Sequence, residues 1–111
     1  MKESELRTLL QAEVFQFSDV LDLVEREYTY IPTAFKNGAI ENGKDENQGS
    51  ARVLFLGYLH GLSKEDTLRL FGEYYVSVLN SPSGTDHQNI RQFIRYGWSA
   101  VSFEGDVLLE K

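Results

Sequence analysis

Ser63-Lys-Glu-Asp-Thr-Leu-Arg-Leu-Phe-Gly-Glu-Tyr-Tyr-Val-Ser-Val-Leu-Asn-Ser-Pro82 is the stretch whose reading decides the fold class. Leu68, Phe71, Tyr75, Val78 and Leu79 recur at helical spacing and form one apolar stripe. Ser63 stands where a capping oxygen is wanted, with Asp66 at the third helical position in place of the usual Glu or Gln. Asn80 and Pro82 end the run, because proline cannot continue a helix. One amphipathic helix from Ser63 to Asn80 is therefore predicted, and an amphipathic helix needs other elements to cover its apolar face.

Working towards the carboxyl terminus, Asp86 is a good cap for a last helix that carries Ile90, Phe93 and Ile94 on one face and ends at Gly97. The tail from Ser99 to Lys111 alternates briefly around Glu104-Gly105, which predicts a short strand or hairpin. Working towards the amino terminus, Ser50 to His60 is apolar on nearly every side. A buried helix and a buried strand both fit, with length and the glycine at 61 favouring helix. Glu41 to Gln48 is polar and reads as an exposed loop. Tyr28 to Ala39 contains β-prone Tyr-Thr-Tyr-Ile, a proline that holds Ile31 extended, and the hairpin signal Asn37-Gly38, so a small two-stranded element is expected there. Ahead of it, Leu21, Val24 and Tyr28 follow a cap at Ser18, and Leu6, Leu9, Leu10 and Val14 follow a cap at Ser4. The expected architecture is a mainly α, α+β single compact domain over residues 1–111, of about five helices with a small β-hairpin component.

A chain of 111 residues with 41% hydrophobic residues is long enough to bury a core without staples. The absence of cysteine removes disulfides, thiolate nucleophiles and cysteine-ligated metals. A net charge of −6 with scattered Lys and Arg argues against nucleic acid and anionic membranes as partners. The longest apolar run, Val53 to Leu56, is far short of the roughly 20 residues a spanning helix requires. The amino terminus lacks the basic start and apolar block of a Sec signal peptide.

Among polar residues, His87 stands out as an imidazole in the first turn of a predicted helix beside Asp86. It reads either as an acceptor or base whose tautomer the carboxylate sets, or as a ring packed against the preceding turn. Arg91 lies one turn later, so His87 and Arg91 fit around a shared anion at a helix start; the plainer reading is a surface arginine paired with Glu. His60 falls at a predicted helix end, where a protonated ring meets free carbonyls. Tyr74 and Tyr75 must point in different directions, leaving one hydroxyl for a pocket or for water. Trp98, with Tyr96 and Phe103, forms an aromatic wall that either closes the core or lines a groove. The binding candidates are thus Asp86, His87, Arg91, Trp98, His60 and Tyr74. Two histidines and Asp86 lack the spacing of a convincing metal site, so neither metal nor cofactor is expected. Walker, dinucleotide and nucleophile-elbow motifs are missing too.

Several segments together resemble the HopJ type III effector proteins: Pro32-Thr-Ala-Phe-Lys-Asn-Gly38, Gln48-Gly-Ser50, Leu59-His-Gly-Leu-Ser63, Thr67-Leu-Arg-Leu-Phe-Gly-Glu-Tyr-Tyr75, and Asp86-His-Gln-Asn-Ile-Arg-Gln-Phe93 followed by Gly97-Trp98. The likeness runs from about Phe17 through Phe103. It implies a small protein of the bacterial cytoplasm, from a family named for relatives delivered into host plant cells, with no established molecular activity. A helix pattern beginning near Ser4 leaves little free chain for a secretion signal, which sets the expectation of delivery apart from that of membership. The expected function is a non-catalytic protein-binding module. The alternative is a small enzyme or metabolite binder that holds an anionic molecule with His87, Asp86 and Arg91. Oligomeric state is left open.

Overall fold

The computed structural model describes residues 2–12 and 14–111, with side chains from residue 5 onward. At its centre is a helix of twelve residues, α3 (Gln48–Leu59), in which Ala51, Val53, Leu54, Phe55 and Leu56 are all buried. Full burial of a leucine contributes roughly 1.5–3 kcal/mol relative to exposure. Helix is thus the outcome for Ser50 to His60, where periodicity left strand open. Gly57 lets a neighbouring helix come close: a Cβ there would lie 2.5 Å from Thr67 Oγ1.

Among the described residues five other α-helices accompany α3: α1 (Lys2–Gln11), α2 (Phe17–Glu27), α4 (Lys64–Arg69), α5 (Glu73–Asn80) and α6 (Gln88–Tyr96). Val20, Leu23 and Val24 of α2, Leu68 of α4, Val78 of α5, and Ile90 and Phe93 of α6 bury their side chains in the same core. The strands are each three residues long: β1 (Tyr28–Tyr30), β2 (Phe35–Asn37), β3 (Ile40–Asn42), β4 (Val101–Phe103) and β5 (Leu108–Glu110). They form two antiparallel sheets, β3-β2-β4 and β1-β5. The expected α+β domain is what the chain forms.

Local details depart from the sequence expectation. The Asn37-Gly38 hairpin exists, with Asn37 opposite Ile40, but its second strand lies in the segment expected to be loop. Tyr28–Tyr30 pairs instead with the far end of the chain, Tyr28 opposite Glu110. The tail makes no hairpin of its own, because β4 joins β2 and β5 joins β1. The helix expected over 63–80 is broken in two. Ser63 caps α4, its hydroxyl accepting from the Asp66 amide at 3.1 Å, but Gly72 has φ 58 and ψ −129 and starts α5. A Cβ at Gly72 would lie 2.6 Å from the Phe17 amide nitrogen, so the strand of chain entering α2 occupies the space a continuous helix needs. The break turns α5, so Leu79, assigned to the buried stripe, is 55% exposed.

Further upstream, α1 begins before Ser4, which lies inside it rather than capping it, and Val14 falls beyond the helix with 86% exposure. Gln16, not Ser18, is the cap of α2, and the Asp19 carboxylate accepts from its amide at 2.9 Å. Asp86 does not cap α6. That position belongs to His87, and the Asp86 carboxylate is instead engaged by Arg91 Nη2 at 2.7 Å.

Candidate functional site

Asn47 and His87 are the non-glycine residues with positive φ among the described residues, each at 51°. Left-handed geometry is unfavourable for a residue with a Cβ by about 1–2 kcal/mol. Both sit at the N-cap of a helix, α3 and α6, and neither side chain caps it. A typical N-cap is extended and offers its side-chain oxygen to the first amides. Here the amides of Gln48, Gly49 and Ser50, and those of Gln88 and Asn89, find no acceptor among the described residues. Exposed first-turn amides carry the positive end of the helix dipole.

Buried asparagines bring the two helix starts together. Asn42, at the end of β3, accepts on Oδ1 from Asn47 Nδ2 at 2.8 Å and from Asn89 Nδ2 at 3.1 Å. Asn37 of β2 donates to the Asn89 carbonyl at 2.7 Å and to Asn89 Oδ1 at 3.0 Å. Asn37, Asn42 and Asn89 are all buried. A buried amide is costly unless it is paired, so this network holds a single arrangement of hairpin, α3 and α6. Gln48 adds a second tie: its Oε1 accepts from the Tyr30 hydroxyl at 2.8 Å and the Thr33 amide at 3.1 Å.

Between the two helix starts lies a cleft of about 470 Å³. Asn47, Gly49 and Ser50 border it from α3, and His87, Gln88, Asn89 and Ile90 from α6. Its apolar side is aromatic. Phe17 meets Tyr74 edge to face at 5.2 Å and stacks on Phe71 at 6.2 Å, while the His87 ring lies 5.2 Å from that of Tyr74. No Asp or Glu lines the cleft, although the chain carries 17 of them.

The sequence candidates divide into groups. His87 and Tyr74 meet in the cleft. Asp86 and Arg91 stand behind it and satisfy each other: Arg91 Nη2 donates to Asp86 Oδ1 at 2.7 Å and Nη1 to the Ser81 carbonyl at 2.9 Å. Nε of Arg91 donates to the Asp86 carbonyl, and the side chain is 12% exposed. The guanidinium thus staples the 81–86 loop rather than facing a ligand. Its hydrogen bond to Asp86 is also the largest cause holding that carboxyl below the usual carboxylate range. A Cβ at Gly84 would lie 2.6 Å from Arg91 Nη2, so a larger residue there would push the guanidinium off its partners. His87 Nε2 is 3.8 Å from Asp86 Oδ2, too far for a hydrogen bond.

His60 and Trp98 lie elsewhere. His60 closes the opposite end of α3, about 20 Å from Asn47 at 1.5 Å per residue, and its Nε2 is 2.7 Å from the Tyr28 hydroxyl. Trp98 donates its indole N–H to the Leu62 carbonyl at 3.0 Å and meets Phe93 edge-on at 4.9 Å. Phe103 lines the same groove as Trp98, but Phe55 and Tyr58 complete it in place of Tyr96. No group of three or more His, Cys, Asp or Glu suited to a metal occurs among the described residues, and no helix there is long and apolar enough to cross a membrane. Missing from the sequence candidates were Asn37, Asn42, Asn47 and Asn89. The first three had one legible sign, their density between 37 and 47, which reads equally well as loop chemistry, and Asn89 had none.

Comparison with known proteins matches the HopJ type III effector protein family over residues 3–108. A solved structure, described as the crystal structure of unknown function protein VPA0580, is 37% identical. It covers 98% of this chain and 92% of its own, with a TM-score of 0.92. Among curated proteins nothing matches.

Proposed function

This chain belongs to the HopJ type III effector protein family, and from that premise we propose that it binds a small molecule through an anionic group seated between the first turns of α3 and α6. The observation that carries the reading is that two helix starts with unpaired amides share a cleft lined by an imidazole and by no carboxylate. Amides of Gly49, Ser50, Gln88 and Asn89 supply donors to the anion, and the aligned peptide dipoles favour its charge. The His87 ring adds an N–H donor. Phe17 and Tyr74, backed by the buried Phe71, offer ring surface to an apolar or aromatic portion of the same molecule. The net charge of −6 disfavours long anionic polymers, which sense the whole surface, more than a compact anion that senses the cleft.

An amide-resolved NMR titration with inorganic phosphate, followed by phosphorylated metabolites, tests this. Saturable movement of the Gly49, Ser50, Gln88 and Asn89 signals, accompanied by a rise in melting temperature, is the expected result. Shifts confined to the surroundings of exposed lysines such as Lys36 and Lys44, or no shifts, overturn it.

A second reading, the protein-binding module, draws support from a different place. Val76 and Leu79 of α5, each 55% exposed, join Val14 and Tyr75 in an apolar patch, and such patches mark interaction surfaces. Its test uses a defined interactor: Val76→Glu with Leu79→Glu is expected to abolish binding while the fold persists, and unchanged binding overturns it. Delivery by a type III apparatus, which the family name implies, is likewise a proposal. A full-length reporter fusion retained inside secretion-competent cells would overturn that.

A further inference from the structure

A groove of about 390 Å³ lies beside the later turns of α3, walled by Phe55, Tyr58, Trp98 and Phe103 and ending at Glu104 and Asp106. Tyr58 is 60% exposed although its ring lies 5.9 Å from that of Phe103 and 6.4 Å from that of Trp98. A large aromatic surface is thus left partly in water. These rings are held in place before any ligand arrives: the Trp98 indole is fixed by its bond to Leu62 and by Phe93 behind it, and Phe103 stands edge-on to Phe55 at 4.9 Å.

The charge at the groove has one sign. Glu104 and Asp106 are the charged residues lining it, both are exposed, and neither carboxylate has a hydrogen bond or ion pair among the described residues. Lys44 borders the far side of the same bend and forms no ion pair with either. Aromatic faces carry negative potential and attract cations, most effectively those that hold little water. A primary ammonium is strongly hydrated and carries three N–H donors, and those turned to the ring faces, away from the two carboxylates, would lose water without gaining a good acceptor. A quaternary ammonium has none, and presents methyl groups that gain by leaving water.

We propose that the Tyr58–Trp98–Phe103 groove binds a small quaternary ammonium compound, its methyl groups across the ring faces and its charge towards Glu104 and Asp106. Because the rings already touch one another, the cation lies across their outer surface rather than between them. The site is separate from the cleft at the start of α3 and stands whether or not that cleft binds an anion.

The test uses choline and its neutral isostere 3,3-dimethylbutan-1-ol, which has the same shape without the charge. The protein contains a single tryptophan, so the indole N–H signal and the fluorescence report the groove directly. Choline is expected to shift both saturably, the isostere to bind about 10-fold more weakly, and Tyr58→Ala to weaken choline by about 10-fold. Glu104→Gln with Asp106→Asn is expected to narrow the preference for choline over the isostere. Thermal melts check that each variant is folded; Tyr58 is exposed, so its removal leaves the core intact. Equal affinity for choline and isostere, choline binding unchanged in Tyr58→Ala, or the absence of a saturable signal would each overturn the proposal.

Discussion

Replacing Asn42 by alanine is the most direct way to ask whether buried amides hold the two helix starts together. Asn42 is buried, and its Oδ1 is the acceptor for Asn47 Nδ2 at 2.8 Å and Asn89 Nδ2 at 3.1 Å. Its own amide makes longer bonds, 3.3 Å to Asn89 Oδ1 and 3.4 Å to the Phe35 carbonyl. Truncation forfeits the two short bonds, each contributing about 0.5–1.5 kcal/mol net, and leaves the Asn89 amide without that acceptor at a cost of about 1–3 kcal/mol. Asn47 is exposed and turns to water, so it adds little. The expected loss is about 2–4 kcal/mol, a large part of the stability of a domain this size. At about 4 °C per kcal/mol, the melting temperature falls by roughly 8–16 °C. Urea unfolding of Asn42→Ala beside Asn80→Ala, an exposed control on α5, measures the difference. Amide spectra of the folded variant are expected to change at 47–50 and 87–90 and to keep their positions at 98–103. A destabilisation within about 0.5 kcal/mol of the Asn80 control would refute the reasoning, because a network that costs nothing to cut cannot be what orders the cleft.

Asn42→Asp keeps the shape but puts a carboxylate against Asn89 Oδ1 and the Phe35 carbonyl, which raises its folded pKa above the unfolded value near 3.9. The sign follows: the variant approaches wild-type stability below about pH 4 and loses ground as pH rises through the folded pKa, which urea unfolding at several pH values detects. Gly72→Ala is expected to destabilise by more than about 2 kcal/mol, since strain at positive φ is joined by the close approach to Phe17. Gly61→Ala, at φ 62 with open space around it, is expected to cost less, about 1 kcal/mol from left-handed geometry alone; equal effects would deny the contact a role. Asp86 is held acidic chiefly by Arg91, so in Arg91→Ala an NMR titration is expected to find the Asp86 carboxyl pKa higher than in the wild type. Because that pKa is depressed in the folded chain, its stabilisation is present above the unfolded value and fades as pH falls through the folded one. An unchanged titration contradicts the staple assigned to Arg91.

What could be read along the chain is what acts over three or four residues. The apolar periods around Val24, Phe71 and Phe93, the Ser63 cap, the Asn37-Gly38 turn and the glycine end of α6 are each settled by neighbours within a turn or two, and they suffice for an α+β domain with its helices in place. The prominence of His87 and Tyr74 was likewise legible, since a ring at a helix start and paired tyrosines on one helix are local facts. Other features depend on groups brought from far along the chain. The break at Gly72 is imposed by Phe17, the pairing of Tyr28 by Glu110, and the union of α3 and α6 by Asn42, which lies 47 residues from Asn89. The left-handed caps at Asn47 and His87 run against local preference and persist only where the surrounding structure outweighs their cost. Local propensity therefore determined which segments coil, while burial of long-range polar contacts decided where the helices start and stop and what their unpaired amides face.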